Sequence, residues 1–152
     1  MLSFFDRLSS LLSDDMPKAE HGDLQLAVGA LLVVAATRDD MFVDEERTTI
    51  ERLLAERFEL PPDKAAQLVA ASEAESATSL QMFGYVRKIM EQMDEADRVK
   101  LVEMLWEVAY ADGVLDPHED ALIRRVAGLI YVSDFDRGAA RRRVREKLGL
   151  GA

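Results

Sequence analysis

The chain has 152 residues, no cysteine and a formal net charge of −10. This length fits one domain with a single core, and the lack of cysteine excludes disulfides and thiolate metal sites. The acidic charge argues against general nucleic-acid binding, and no apolar run reaches the roughly 20 residues that a transmembrane helix needs.

The first part of the chain predicts a short amphipathic helix and a polar linker. Residues 1–13 carry apolar side chains at helical spacing, namely Leu2, Phe5, Leu8, Leu11 and Leu12. Residues 14–22 are polar, contain Pro17 and are typical of a linker. The apolar stripe either packs on the main domain or docks on a protein partner. A membrane surface is the weaker alternative, because Arg7 is its only basic residue.

The main domain, residues 23–150, is predicted to contain seven helices. Asp23 can cap the first, which runs to about Arg38 and is apolar on nearly every face, so we expect it to be buried. The remaining six helices are expected to begin at or just after Asp44, Pro61, Ser79, Asp94, Asp116 and Ser133. Because Val and Ile follow a helical period throughout, the predicted class is all-α.

A helix–turn–helix motif follows the fifth predicted helix. Gly113 suits a helix end, because glycine enters the left-handed conformation without a steric penalty. Asp116 is a good N-cap, and Pro117 fits the first helical position. Asp112 lies at the negative end of the preceding helix, where an acid is unfavourable. A carboxylate placed against local preference points to a functional role.

An earlier stretch of the chain repeats this motif. The alignment pairs Ile50 with Ile123, Glu46 with Glu119, and Asp39 with Asp112. A shift by one residue would pair Asp44 with Asp116 but would lose the correspondence at Glu119. We prefer the first register, which predicts an internal pseudo-repeat of helix–turn–helix units within the single domain.

A longer run around the second motif carries a family signature. It comprises Leu105-Trp106-Glu107-Val108-Ala109-Tyr110-Ala111-Asp112-Gly113, then Glu119, then Leu129-Ile130-Tyr131-Val132-Ser133. These residues resemble the tellurite-resistance TerB family, in its short stand-alone bacterial branch, over about Leu24 to Lys147. The first motif departs from the pattern, with Arg38-Asp39-Asp40 in place of Ala-Asp-Gly.

The resemblance implies an all-helical fold with a pseudo-repeat and a cytoplasmic location. It also implies a divalent-metal site built from the acids of the two motifs. Related domains occur on membrane-associated co-chaperones and in stress-response systems. We therefore expect a protein partner, which the resemblance links to membrane-associated assemblies.

Four carboxylates are the candidate metal ligands: Asp39, Glu46, Asp112 and Glu119. If the repeats pack about a pseudo-two-fold axis, these oxygens converge, and oxygen ligands suit Ca²⁺ or Mg²⁺. The alternative interpretation needs no metal. In it, both glutamates are ordinary acids of a first helical turn and Asp112 accepts hydrogen bonds from turn amides. We expect His118 to face solvent at the start of its helix rather than to bind zinc.

Signatures of catalysis are missing from the chain. There is no Gly-rich phosphate loop, nucleophile elbow or catalytic triad. We expect a non-enzymatic interaction module that binds a divalent cation and acts in tellurite, metal or envelope stress. The alternative is a metal-dependent hydrolase in which the acidic cluster supplies a general acid and base.

Two further expectations concern packing. Trp106, on an apolar helix face, is predicted to lie in the core. The C-terminal helix is basic while the rest of the chain is acidic, so it can pair internally, with another subunit or with an acidic partner. The sequence leaves the oligomeric state open.

Overall fold

A computed structural model describes residues 19–37, 44–75, 79–111 and 115–151 of the chain. These residues form seven helices and no strand, which confirms the all-α prediction. The helices are α1 (Ala19–Ala36), α2 (Asp44–Phe58), α3 (Pro62–Glu75), α4 (Ser79–Gln92), α5 (Glu95–Ala109), α6 (Pro117–Leu129) and α7 (Asp134–Lys147). The predicted N-terminal helix, residues 1–13, lies outside the described residues.

Local capping chemistry sets the starts of the last three helices. In each case an N-cap side chain accepts a hydrogen bond from a free backbone N–H of the first turn. The bonds run from Asp97 N to Asp94 Oδ1 (2.8 Å), from His118 N to Asp116 Oδ1 (2.7 Å) and from Asp136 N to Ser133 Oγ (3.1 Å). The predicted caps are therefore confirmed.

The first helix begins earlier than the sequence pattern predicts. Helix α1 begins at Ala19 rather than after a cap at Asp23, so it includes residues 19–22 of the predicted linker. Ala19 and Glu20 are favourable helix formers, which lets the helix extend towards Pro17. The polar composition of this stretch masked that tendency.

Helix α1 is the centre of the fold. It packs against α2, α3, α4, α5 and α6, which explains why it is apolar on every side. Its fully or almost fully buried side chains include Ala27, Val28, Leu31, Leu32, Val33 and Ala35. Trp106 of α5 joins the same core, as predicted, and its ring is 1 % exposed. Removing α1 would therefore leave the other helices without a shared core.

The pseudo-repeat relates α1–α2–α3 to α5–α6–α7. The helix ends Ala36 and Ala109 keep the same separation along the chain as Ile50 and Ile123, and so do the next helix starts, Asp44 and Pro117. Contacts between the repeats are reciprocal, because α1 packs on α5 and on α6, while α5 packs on α1 and on α2. Reciprocal contacts of this kind are those of a two-fold arrangement. The bounds of these helices agree with the register that pairs Ile50 with Ile123.

The turns that follow α2 and α6 have the same backbone shape, although Tyr131 lies one residue earlier than the register of Ile50 and Ile123 would place the equivalent of Glu59. Glu59 and Tyr131 both adopt left-handed backbone, with φ of 54° and 58°. Each turn is closed by the same backbone bond, from Leu60 N to Ala55 O (3.0 Å) and from Val132 N to Ala127 O (2.8 Å). These are the helix-ending bonds of a Schellman-type cap.

Candidate functional site

The two motifs are only partly within the described residues. Asp39 and Asp112, the predicted ligands from the turns, lie outside them. Glu46 and Glu119, the predicted ligands from the helices, lie inside. Among the described residues no three His, Asp or Glu side chains gather into a group that could hold a metal ion. A site with the predicted ligands would therefore need the two turn aspartates.

Glu46 and Glu119 occupy equivalent places and are buried alike. Each is the third residue of its helix, α2 or α6, and their exposed fractions are 4 % and 3 %. The acids Asp44 and Glu45 in the same first turn of α2 are exposed. Glutamate is almost never this buried unless it is paired, hydrogen-bonded or bound to a metal. Both glutamates do interact with other groups of the protein.

Both glutamates lie in the first turn of a helix. The first turn of a helix carries partial positive charge from its free N–H groups, which stabilises an anion. Aliphatic residues one helical turn further on, Ile50 and Ile123, are fully buried beneath them. Each repeat thus holds one carboxyl group at the boundary between a helix start and the apolar core.

Not every acid of these turns is buried in this way. Asp120 is the neighbour of Glu119 and forms an ion pair with Arg124, with Nε 3.1 Å from Oδ2. His118, on the other side, is exposed, as expected for a histidine at a helix start. Burial therefore singles out the one acid of α6 that the repeat pairs with Glu46.

A third buried carboxylate was not predicted from the sequence. Glu107 of α5 is 3 % exposed and binds two cations from different helices. Arg52 Nη2 of α2 lies 3.1 Å from Glu107 Oε2, and Lys147 Nζ of α7 lies 2.7 Å from Oε1. The one available signal was an acid inside an otherwise apolar run, between Trp106 and Val108.

Glu107 lines a cleft of about 280 Å³ between α2, α5 and α7. Burial tends to lower the pKa of Arg52, but its hydrogen bonds with Glu56 and Glu107 outweigh this effect and raise the pKa. Most charges around the cleft are paired, including Arg57 with Asp97 (2.9 Å) and Arg143 with Glu103 (3.0 Å). The ion pairs around the cleft therefore link α2, α5 and α7.

The basic helix α7 pairs largely within the molecule. Lys147 and Arg143 bind acids of α5, as described above, and Arg141 Nε donates a hydrogen bond of 2.7 Å to Tyr110 Oη. The Arg141 guanidinium also lies 5.5 Å from the centre of the Trp106 ring, a cation–π contact. Arg142, by contrast, is exposed and has no ion pair within the described part of the chain. Most basic side chains of α7 thus have a partner within the chain.

Comparison with known proteins gives one match. The model of the family described as tellurite resistance protein TerB matches residues 25–142, close to the range that the sequence signature covered. No curated protein and no solved structure matches the chain. None of the described helices has the length and apolar character that crossing a membrane requires. With this match over most of its length and its repeated helical motif, the chain belongs to the TerB family of tellurite resistance proteins.

Proposed function

We propose that this protein is a non-enzymatic interaction module whose two motifs together bind one divalent cation. It acts in the response to tellurite, metal or envelope stress, in the cytoplasm, and engages a protein partner. The four ligands are Asp39, Glu46, Asp112 and Glu119. Membership of the TerB family supports the stress-response setting.

The matched burial of Glu46 and Glu119 carries this proposal. A buried carboxylate loses its hydration, and several carboxylates that share a site repel one another. Each glutamate has its equivalent in the other repeat, and each motif also supplies an aspartate. The two repeats, related by the pseudo-two-fold axis, would therefore supply four acids to one site. A divalent cation would offset both costs at once.

The donor set points to a hard cation. The proposed ligands are all carboxylate oxygens, the chain has no cysteine, and His118 is exposed. Oxygen ligands of this kind favour Ca²⁺ or Mg²⁺ over softer metals. The turns between the helices are too short for the ligand loop of an EF-hand, so the site would draw its ligands from both repeats.

A cation bound between the repeats would act on the fold around it. Because α1 of the first repeat packs on α5 and α6 of the second, a bound ion would hold the relative placement of the repeats and stabilise the native state by mass action. The partner would then recognise the cation-bound form. The apolar stripe of residues 1–13 is the proposed contact with that protein.

Thermal unfolding tests the metal site. We expect millimolar Ca²⁺ or Mg²⁺ to raise the melting temperature of the wild type, and Asp112→Asn to remove most of the rise. Asp120→Asn is the control, since Asp120 is the acid next to Glu119 at the start of α6 and has its own arginine partner. Equal responses of all three proteins would mean general screening of the −10 charge. If none of the three proteins responds, the interpretation that needs no metal, in which these acids serve the helix starts and the turn, is favoured.

A second experiment tests the partner. Tagged protein is used to capture partners from its native cells with and without divalent cations. We expect a protein to be retained with the cation and lost with a chelator. If the protein is retained equally under both conditions, the interaction does not depend on the metal. Turnover of a phosphoester or peptide substrate by the metal-loaded protein would instead support the hydrolase alternative.

A further inference from the structure

Helix α4 is the described helix that the pseudo-repeat leaves unmatched. The repeat pairs α1 with α5, α2 with α6 and α3 with α7. The main neighbours of α1 are α2, α3, α4, α5 and α6, and those of α5 are α1, α2, α6 and α7. Four neighbours of α1 therefore have an equivalent around α5. Within the described part of the chain, no helix takes the place on α5 that α4 takes on α1.

An ion pair indicates the face of α1 on which α4 packs. Asp23, Ala27, Ala30 and Val34 recur at helical spacing and share one face of α1. Lys88 of α4 pairs with the first of them, with Nζ 3.7 Å from Asp23 Oδ2. Ala27 and Ala30, further along the same face, are fully buried. Their small side chains let another helix approach this face of α1 closely.

The equivalent face of α5 lines a groove. In the register of the repeat, its residues are Ala96, Lys100, Glu103 and Glu107. The last three line the cleft of about 280 Å³ described above, and the first three line a neighbouring cleft of about 490 Å³. Because the two clefts share Lys100 and Glu103, they form one continuous groove along α5. We call this surface, defined by the four residues, the α5 groove.

The pseudo-two-fold axis relates the α5 groove to the start of the chain. Helix α4 comes directly before α5 in the sequence and packs on α1 of the other repeat. Residues 1–13 come before α1 and carry the predicted amphipathic helix. The same relation across the axis therefore places residues 1–13 on α5.

The length of the segment and of its link both fit this placement. A helix of residues 1–13 would be about 20 Å long, and the row from Ala96 to Glu107 is about 17 Å long. Only two residues separate the end of α4 at Gln92 from the start of α5 at Glu95, and α4 nevertheless packs on α1. Residues 14–18, which connect the segment to α1, give at least the same reach.

We propose that residues 1–13 dock as a helix in the α5 groove, in the way that α4 packs on α1. The apolar stripe of the segment would contact apolar side chains that line the groove, among them Val99 and Met104. The aliphatic part of the exposed Lys100 side chain adds to this surface.

The composition of the α5 groove makes this docking weaker than that of α4. Lys100 and Glu103 stand where α1 has Ala27 and Ala30. A face with charged side chains buries less apolar area against a helix, and its hydrophobic stabilisation is correspondingly smaller. The docked segment can therefore leave the groove without unfolding the domain. The protein partner proposed above would displace it, a step that rests on the proposed function.

Cross-linking of the full chain tests the docking without a partner. The chain has no cysteine, so an introduced pair supplies the only thiols. Ser9→Cys, beside the apolar stripe, is combined with Lys100→Cys in the groove, Phe83→Cys on α4 or Asp63→Cys on α3. The last three positions are all exposed. We expect a short bismaleimide to form the cross-linked monomer at least tenfold faster with Lys100→Cys than with either other partner.

Leu8→Asp, added to the groove pair, is the matched variant. It places a charge in the apolar stripe and changes nothing in the described helices, so the preference for Lys100→Cys should disappear. A preference that survives Leu8→Asp, or equal rates for the three pairs, would overturn the proposal. So would faster cross-linking to Phe83→Cys, which would place the stripe on α4, or cross-linked dimers in place of monomers. Because no partner is present, these outcomes are independent of the capture experiment.

Discussion

Arg52 and Glu107 form an ion pair of 3.1 Å that joins the two repeats. Arg52 belongs to α2 of the first repeat and is 44 % exposed, whereas Glu107 belongs to α5 of the second and is buried. Lys147 binds the other oxygen of the same carboxylate. The two cations retain access to water, but the anion does not. Loss of the cations should therefore harm the fold more than loss of the anion.

The first prediction follows from this asymmetry. Arg52→Met combined with Lys147→Met leaves a buried carboxylate without its cations, and we expect a loss of about 3 kcal/mol in the free energy of unfolding. Glu107→Gln leaves two solvated cations and should cost about 1 kcal/mol. Urea unfolding measures both. Equal losses in the two proteins would contradict the asymmetry, and Lys100→Met, in the same cleft, is the control.

The second prediction concerns the core around α5. Trp106 is almost completely buried, and its Nε1 donates a hydrogen bond of 3.3 Å to the carbonyl of Arg137. Trp106→Ala should destabilise the fold by about 3–5 kcal/mol, the usual cost of deleting a buried large aromatic side chain. Phe83→Ala, at an exposed ring, should change stability by less than about 0.5 kcal/mol. An unchanged urea midpoint for the Trp106 variant would refute its core role.

The third prediction concerns the close approach of α1 and α3. A Cβ on Gly29 would overlap Ser72 Oγ and lie 3.2 Å from Ser72 Cβ. Gly29→Ala should therefore destabilise the protein by about 1–3 kcal/mol through overpacking. Adding Ser72→Ala removes the overlapping oxygen and should restore part of the loss. Additive losses in this double-mutant cycle would mean that the two positions do not contact each other.

The fourth prediction concerns residues 1–13. Deleting Met1 to Ser13 should leave the domain folded with little change in the free energy of unfolding, and should abolish capture of the protein partner. Circular dichroism and the capture experiment measure the two effects. Unfolding of the truncated chain would assign the stripe to the core. If the intact protein floats with liposomes and the truncated protein does not, the stripe binds a membrane surface.

Helix starts could be predicted because their chemistry is local. Asp94, Asp116 and Ser133 each cap within three residues along the chain, so a short window of sequence contains the whole interaction. The repeat register could be predicted for a similar reason, since Ile50 and Ile123 anchor equivalent apolar faces. The start of α1 could not be placed, because helix-forming residues at Ala19 and Glu20 carry the helix past the predicted cap at Asp23.

The buried carboxylates show the limit of sequence reasoning. Glu107 could not be matched with Arg52 and Lys147, because those residues lie on helices whose placement depends on the packed core. Acids in a first helical turn commonly face water, and nothing local distinguishes Glu46 from the exposed Glu45. The repeat alone pointed to Glu46 and Glu119. Asp39 and Asp112 stay predictions, since both lie outside the described residues.

Calorimetric titration with Ca²⁺ and with Mg²⁺ tests most directly whether the two motifs share one cation. We predict one bound ion per chain, and a loss of affinity of at least tenfold when either Asp39→Asn or Asp112→Asn is introduced, because each motif completes the other's ligand set. Asp120→Asn should bind as the wild type does. Two ions per chain, each removed by only one of the substitutions, would show that the motifs bind separately. Absence of binding to all of these proteins would contradict the metal site altogether.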